Sequence, residues 1–255
     1  MDAVILTALG VGGATVIGAL LGFVFKKPSH KLNDIVLSFA AGVMLAAAVI
    51  GLIIPSLEGS AGKSGIIVTV LGIFAGAACL NFIDKLVPHL HKMTGIDQEL
   101  HPEKNHELDK ILLFVIAIAI HNLPEGIAAG VSFGTGAENL PRAISVACGI
   151  ALQNIPEGMV VIAPMLAAGM SRTKTFLIAL ATGIVEVIGT FIGYFAVGIS
   201  FAVLPFALAF AGGTMLYVIS DEMIPETHSH GCERAATYTL ILGFCLMLAF
   251  DFLLG

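Results

Sequence analysis

The chain has 255 residues, of which 57% are hydrophobic and only 12% charged, with a mean hydropathy of +0.98. Charged residues make up about a quarter of an ordinary soluble chain, so this balance excludes a soluble domain and predicts an all-α, multi-pass membrane protein. The net charge of −6 comes without a basic patch, which leaves nucleic acid without a footing, and Cys79, Cys148, Cys232 and Cys245 show no C-x-x-C spacing for a thiolate zinc site or a disulfide framework.

Hydropathy and punctuation predict eight spans within one transmembrane domain, 1–255: 3–25, 34–55, 64–86, 110–133, 141–169, 174–198, 201–222 and 235–254. The first reads as a retained span rather than a signal peptide, because Asp2 stands where a basic segment would and the apolar run continues to Lys26 and Lys27. Lys and Arg gather in short cytoplasmic loops. Alternate loops put Lys26, Lys27, Lys31, Lys85, Lys92, Lys104, Lys110, Arg172, Lys174 and Arg234 on one side and only Lys63 and Arg142 on the other. That asymmetry predicts extracytoplasmic termini and a cytoplasmic 87–109 loop; a cell (inner) membrane location is expected.

Spans 1, 3 and 6 carry Gly18 and Gly22, Gly72 and Gly76, and Gly189 and Gly193, a four-residue spacing that lets helix backbones pack closely in lipid. Span 2 offers Met44 as its one soft side chain, and a lone Met on an apolar helix more often fills a gap than binds a metal. The 87–109 loop holds His89, His91, His101 and His106 among Asp97, Glu99, Glu103, Glu107 and Asp109. Such a segment reads equally as a solvated linker or as a weak, exchangeable binder of divalent cations.

Spans 4 and 5 carry a duplicated motif, HNLPEG at His121–Gly126 and QNIPEG at Gln153–Gly158. Each sets a metal-ligating type of side chain, His121 or Gln153, four residues before a carboxylate, Glu125 or Glu157, which puts both on one helix face. Asn122 and Asn154 follow at matching positions, and Pro124 and Pro156 remove an N–H from each helix. Both motifs begin eleven residues from a charged span end, Lys110 or Arg142, and at ~1.5 Å per residue that is close to half the apolar thickness. Antiparallel spans then meet at one depth, the mark of an inverted-repeat transporter site. Span 6 adds Glu186 at the same depth; span 7 ends with Asp221, Glu222, Glu226, His228 and His230; span 8 holds Asp251 near its outer end.

An ionisable side chain at the bilayer centre costs several kcal/mol, and no Lys or Arg lies at these depths to neutralise three carboxylates. Protonation, water or a bound cation must compensate, and imidazole, carboxylate and amide donors without thiolate suit a borderline ion such as Zn²⁺, Fe²⁺ or Mn²⁺. An intramembrane metal-dependent hydrolase is the alternative, but H-E-x-x-H is absent. A proton-coupled carrier of an organic solute is a third reading, distinguished by whether metal transport persists without an organic ligand.

These motifs, with Glu186, resemble the ZIP (Zrt-, Irt-like) family of divalent metal transporters over the whole chain, nearest its bacterial GufA-like branch. The resemblance implies eight helices in an inverted-repeat, 3+2+3 architecture, a homodimer, and uptake of zinc, with iron, manganese or cadmium as further cargo, rather than an enzyme. It implies a binuclear centre: His121, Glu125, Gln153, Glu157 and Met44 around one ion, and Asn122, Asn154, Glu186 and the two shared glutamates around the other. Relatives often carry Asp where this chain has Asn154, so the second site loses a charge. Glu58 and Asp251 map onto acidic residues at the outer approach, and Asp221, Glu222, His228 and His230 onto the exit, although many relatives have His in place of Asp221. The family is also expected to move spans 1, 4, 5 and 6 as a block against spans 2, 3, 7 and 8.

Overall fold

Uninterrupted runs of Leu, Ile, Val, Ala and Phe can satisfy their backbone N–H and C=O groups in hydrocarbon only within the segment itself, and the chain accordingly folds into helices. The computed structural model describes residues 2–24, 29–59, 64–86, 120–133, 140–167, 169–199 and 203–254; the 87–109 loop lies outside them. In chain order the helices are α1 (Asp2–Val24), α2 (His30–Glu58), α3 (Ser64–Leu86), α4 (120–132), α5 (Leu140–Val160, followed by a short helix Ile162–Ala167), α6 (Arg172–Ile199), α7 (Leu204–Thr227) and α8 (Glu233–Leu254). Among the described residues seven helices, all but α4, are long and apolar enough to cross a membrane. Large side chains such as Leu6, Phe74 and Phe252 face outward, the reverse of a soluble surface.

α2 starts earlier than its hydropathy predicts. Ser29 caps it, its hydroxyl accepting from the Leu32 N–H at 3.2 Å, so His30, Asn33 and Asp34 belong to the first turns of the helix rather than to a loop.

Two helices share a local device. In α2 the stretch Ala47–Ile53 widens into π-helical turns, and in α7 Ile219–Met223 does the same. Each ends just before an Ile-Pro pair, with the Ile54 N–H bonded to the Val49 carbonyl and the Ile224 N–H to the Ile219 carbonyl. Pro55 and Pro225 have no N–H to continue a regular ladder, and the widened turn absorbs the mismatch. In α7 that turn carries Asp221 and Glu222.

Glycines sort the helices into two groups. A Cβ at Gly18 would run into the Ile155 carbonyl, one at Gly12 into Gly183, and one at Gly126 into the Glu186 backbone, which joins α1, α4, α5 and α6. A Cβ at Gly76 would meet the Phe210 backbone, one at Gly42 the Leu240 carbonyl, and one at Gly212 the Ile53 side chain and then the Ala48 carbonyl, which joins α2, α3, α7 and α8. Between the groups the glycine contacts are with side chains instead, Gly51 with Val146 and Gly149 with Met247. Backbone-to-backbone packing therefore makes each group stiff, while deformable side chains separate them. The buried core of Met44, Leu52, Ile150, Met215 and Met247 lies along that seam.

Candidate metal centre

The two motifs put four of their polar side chains within reach of one another. His121 and Glu125 share a face of α4, and Glu125 Oε1 accepts from the Gln153 amide of α5 at 2.9 Å. Glu125, Gln153 and Asn154 are at most 1% exposed. Glu125 Oε2, Gln153 Oε1, Asn154 Oδ1 and Glu157 Oε1 are buried with no hydrogen-bond partner in the protein. Leaving even one such acceptor unsatisfied costs ~1–3 kcal/mol, so four on the two motifs call for a cation or for protons.

A cavity of about 260 Å³ reaches this point, with Met44, His121, Asn122, Glu125 and Glu157 on its walls. From there it runs to the first turn of α2 and the end of α7, where Asp34, Glu226 and His230 line it. His121 Nε2 lies 2.8 Å from Glu222 Oε1, a bond from α4 to α7 and so from one helix group to the other. Among the described residues no three His, Cys, Asp or Glu side chains are already grouped as an ion cage. Turning the His121 Nε2 lone pair to an ion requires it to leave Glu222 first.

Glu186 is different. It is fully buried, and its carboxylate accepts from three neutral donors: the Thr15 hydroxyl at 2.6 Å and the Asn122 amide on Oε1, and the Asn154 amide at 2.7 Å on Oε2. It does not line the cavity, and its Oε1 is reached from α1 through Thr15.

The remaining sequence-derived residues separate by position. Glu222 and His230 line the cavity. Asp221 is exposed, and the His228 ring is occupied off the cavity by the Ile224 carbonyl at 2.9 Å and Thr237 Oγ1 at 3.1 Å. Glu58 accepts from Arg142 at 3.0 Å at the opposite end of α2, and Asp251 keeps a buried, unbonded Oδ1. Sequence reasoning missed Thr15, which nothing in an apolar Gly-rich run sets apart. It also missed Asp34, although His30 and Asp34 repeat the four-residue spacing of His121 and Glu125.

Comparison with known proteins gives a consistent result. The family model described as ZIP Zinc transporter matches residues 97–251. The chain is 40% identical over 260 residues to the Zinc transporter GufA of Myxococcus xanthus, covering all of both chains. It is 39% identical over 250 residues to the Zinc transporter ZIPB of Bordetella bronchiseptica, covering 95% of this chain and 78% of that one. It is 31% identical over 323 residues to the Zinc transporter ZIP11 of Homo sapiens, covering 95% and 94%.

Proposed function

This chain belongs to the ZIP family of zinc transporters and carries divalent metal cations across a membrane, and from that premise we propose that Zn²⁺ is its main cargo, passing into the cytoplasm through the duplicated motif. Relatives named as zinc transporters support zinc as the ion and give no support to the hydrolase alternative; the protein is a transporter, not an enzyme. Fe²⁺, Mn²⁺ and Cd²⁺ share the borderline character of this donor set and are proposed as secondary cargo.

One observation supports this route: the duplicated motif carries four buried acceptor oxygens without donors, from Glu125, Gln153, Asn154 and Glu157, and two of those residues, Glu125 and Glu157, line the cavity. His121, Glu125, Gln153, Glu157 and Met44 are proposed as ligands of the transported ion. Asn122, Asn154 and Glu186 are proposed as an auxiliary position whose carboxylate is already engaged by hydrogen bonds. Glu58 and Asp251 are proposed for the outer approach, and Glu222 and His230 for the exit; Asp221 and His228 stand off the cavity and have the weaker case.

The two helix groups support a carrier-type cycle. α1, α4, α5 and α6 hold the motif and are proposed to shift as one body against α2, α3, α7 and α8. In the conformation described, the cavity extends toward the His30 end of α2, while Glu58 and Arg142 tie the groups at the other end. With extracytoplasmic termini this is a state open to the cytoplasm, in a cell (inner) membrane bilayer and in a homodimer.

Uptake of Zn²⁺ by proteoliposomes holding purified protein, read with an internal fluorescent dye, tests this reading. Competition by Fe²⁺, Mn²⁺ and Cd²⁺ ranks the cargo. Absence of any cation flux across the range of pH would sink it.

A further inference from the structure

A threonine in an apolar helix ordinarily satisfies its hydroxyl on a carbonyl one turn back, and Thr182, Thr190, Thr214, Thr227 and Thr237 all do so on their own helices. Thr15 does not follow them. Its hydroxyl leaves α1 and donates to Glu186 Oε1 of α6 at 2.6 Å, in a side chain only 3% exposed. That bond is not needed to dock α1. Gly12 already presses on the Gly183 carbonyl of α6, and Gly158 of α5 on the Thr15 carbonyl. Those backbone contacts set Thr15 beside the residue that follows Glu157 and within a turn of Glu186, and they leave its hydroxyl for another task.

We propose that Thr15 is a positioning residue that sets the metal preference of the centre: by donating to Glu186 Oε1 it keeps a third carboxylate off the transported ion. Thr15, Asn122 and Gly158 line the cavity and Glu186 does not, so the hydroxyl reaches Glu186 from the cavity wall. Each donor on a carboxylate oxygen occupies a lone pair that a cation would otherwise use. Without the hydroxyl, Oε1 keeps one donor, the Asn122 amide, and gains a lone pair free for an ion.

The consequence is chemical selectivity. Imidazole and thioether donors, His121 and Met44 here, favour Zn²⁺, whereas added carboxylate oxygen favours a harder ion such as Mn²⁺. Holding Glu186 back keeps the first group dominant. An ion gripped by one carboxylate more also leaves more slowly, so the same bond favours turnover. α1, α5 and α6 belong to one helix group, and the Thr15 contact therefore travels with the centre. The inference rests on the proposed centre being the path of the ion and adds to it a residue of α1.

The test compares Thr15→Val, which keeps the shape of the side chain and removes the hydroxyl, with Thr15→Ser, which keeps the hydroxyl and removes the methyl. Purified full-length proteins in proteoliposomes are assayed for Zn²⁺ uptake with Mn²⁺ as competitor, and bound Zn²⁺ is counted by elemental analysis. Thr15→Val is expected to lower the apparent KM for Zn²⁺ and the maximal rate together, each by about threefold or more. Mn²⁺ should compete better by a similar factor, and the bound count should rise above that of native protein. Thr15→Ser should stay close to native. Combining Thr15→Val with Glu186→Gln should reproduce the bound count, KM and Mn²⁺ response of Glu186→Gln alone, because no third carboxylate is left to free. The proposal is overturned if Thr15→Val matches native protein, or if it loses maximal rate and melting temperature with no fall in KM, as a packing defect would. It is equally overturned if Thr15→Ser departs as far as Thr15→Val, or if the effect of Thr15→Val persists in Glu186→Gln protein. Failure of native protein to bind or transport Zn²⁺ would instead overturn the functional reading and the role of Thr15 with it. Should Thr15→Val not purify as a monodisperse protein, Thr15→Ala carries the same comparison.

Discussion

The Thr15 hydroxyl of α1 donates to Glu186 Oε1 of α6 at 2.6 Å, while the Asn154 amide of α5 donates to Oε2 at 2.7 Å. Three helices of one group are thus pinned through a single buried carboxylate, and with the Asn122 amide its lone pairs are largely spent. In relatives with a second carboxylate at the position of Asn154, that side chain would repel Glu186 unless an ion lay between them. Here the Asn154 amide donates to Glu186 instead of repelling it. Glu186→Gln is therefore expected to retain a measurable fraction of uptake and about one centre-bound ion per chain, whereas Glu157→Gln and His121→Ala fall to background. Asn154→Asp should raise the bound count by one. Elemental analysis beside initial uptake rates decides, and equal inactivity of Glu186→Gln and Glu157→Gln with two ions still bound would remove the distinction.

The bond between His121 Nε2 and Glu222 Oε1 sets a pH dependence. An imidazole ligates a metal only when neutral, so protons compete with the ion at low pH. Protonation of His121 also turns its contact with Glu222 into an ion pair, which holds the ring away from the cargo. Both effects have the same sign: uptake falls as the external pH is lowered. Glu222→Gln removes the ion pair and should soften the acid inhibition while also slowing ion exit. Initial rates at a series of external pH values measure this, and a flat profile would count against His121 as a ligand.

Much of the fold and the centre was legible because the signals were local. An eleven-residue step from a charged end to each motif put both motifs at a matching depth, and the i, i+4 pairs His121/Glu125 and Gln153/Glu157 put each pair on one face. Thr15 was not legible, since its role depends on α1 lying against α5 and α6, a non-local contact made by Gly12 and Gly18. Asp34 was hidden by a boundary: hydropathy starts the second span at 34, and only the Ser29 cap shows that the helix begins four residues earlier. His228 and His230 look equivalent in sequence, yet the turn after α7 gives one to Thr237 and the other to Asp34.

The division into two helix groups predicts unequal tolerance at glycines. Gly76→Leu would drive a side chain into the Phe210 backbone within one group, where neither helix can retreat. A loss of ~1–3 kcal/mol or more is expected from such overpacking. Gly149→Ala would instead meet the Met247 Sδ and Cε atoms, the flexible end of a side chain across the seam that can turn aside. That variant should keep its melting temperature in detergent and lose transport rate, because the seam is where the groups slide. Thermal-shift and uptake assays on both variants check the contrast; a Gly149→Ala protein as unstable as Gly76→Leu would argue against a deformable seam.

At the far end of α2, Glu58 accepts from Arg142 of α5 at 3.0 Å, across the two groups and with side chains 59% and 36% exposed. A pair so exposed is worth ~0–1 kcal/mol, too little to lock the protein but enough to shift a two-state equilibrium up to about fivefold. The Arg142 charge weakens the attraction of Glu58 for a cation, and parting of the groups, as proposed, would free the carboxylate as the outside opens. Arg142→Gln should therefore favour the outward-open form and make uptake less sensitive to added salt, since the ion pair that salt screens is gone. Glu58→Gln removes the same latch but also the attracting charge, so its uptake at low Zn²⁺ should fall below that of Arg142→Gln. Exchanging the two residues, Glu58→Arg with Arg142→Glu, should restore the salt dependence without restoring the charge on α2. Uptake rates at two ionic strengths and two Zn²⁺ concentrations separate these cases, and identical behaviour of Arg142→Gln and Glu58→Gln would reduce the contact to a surface pair without a part in gating.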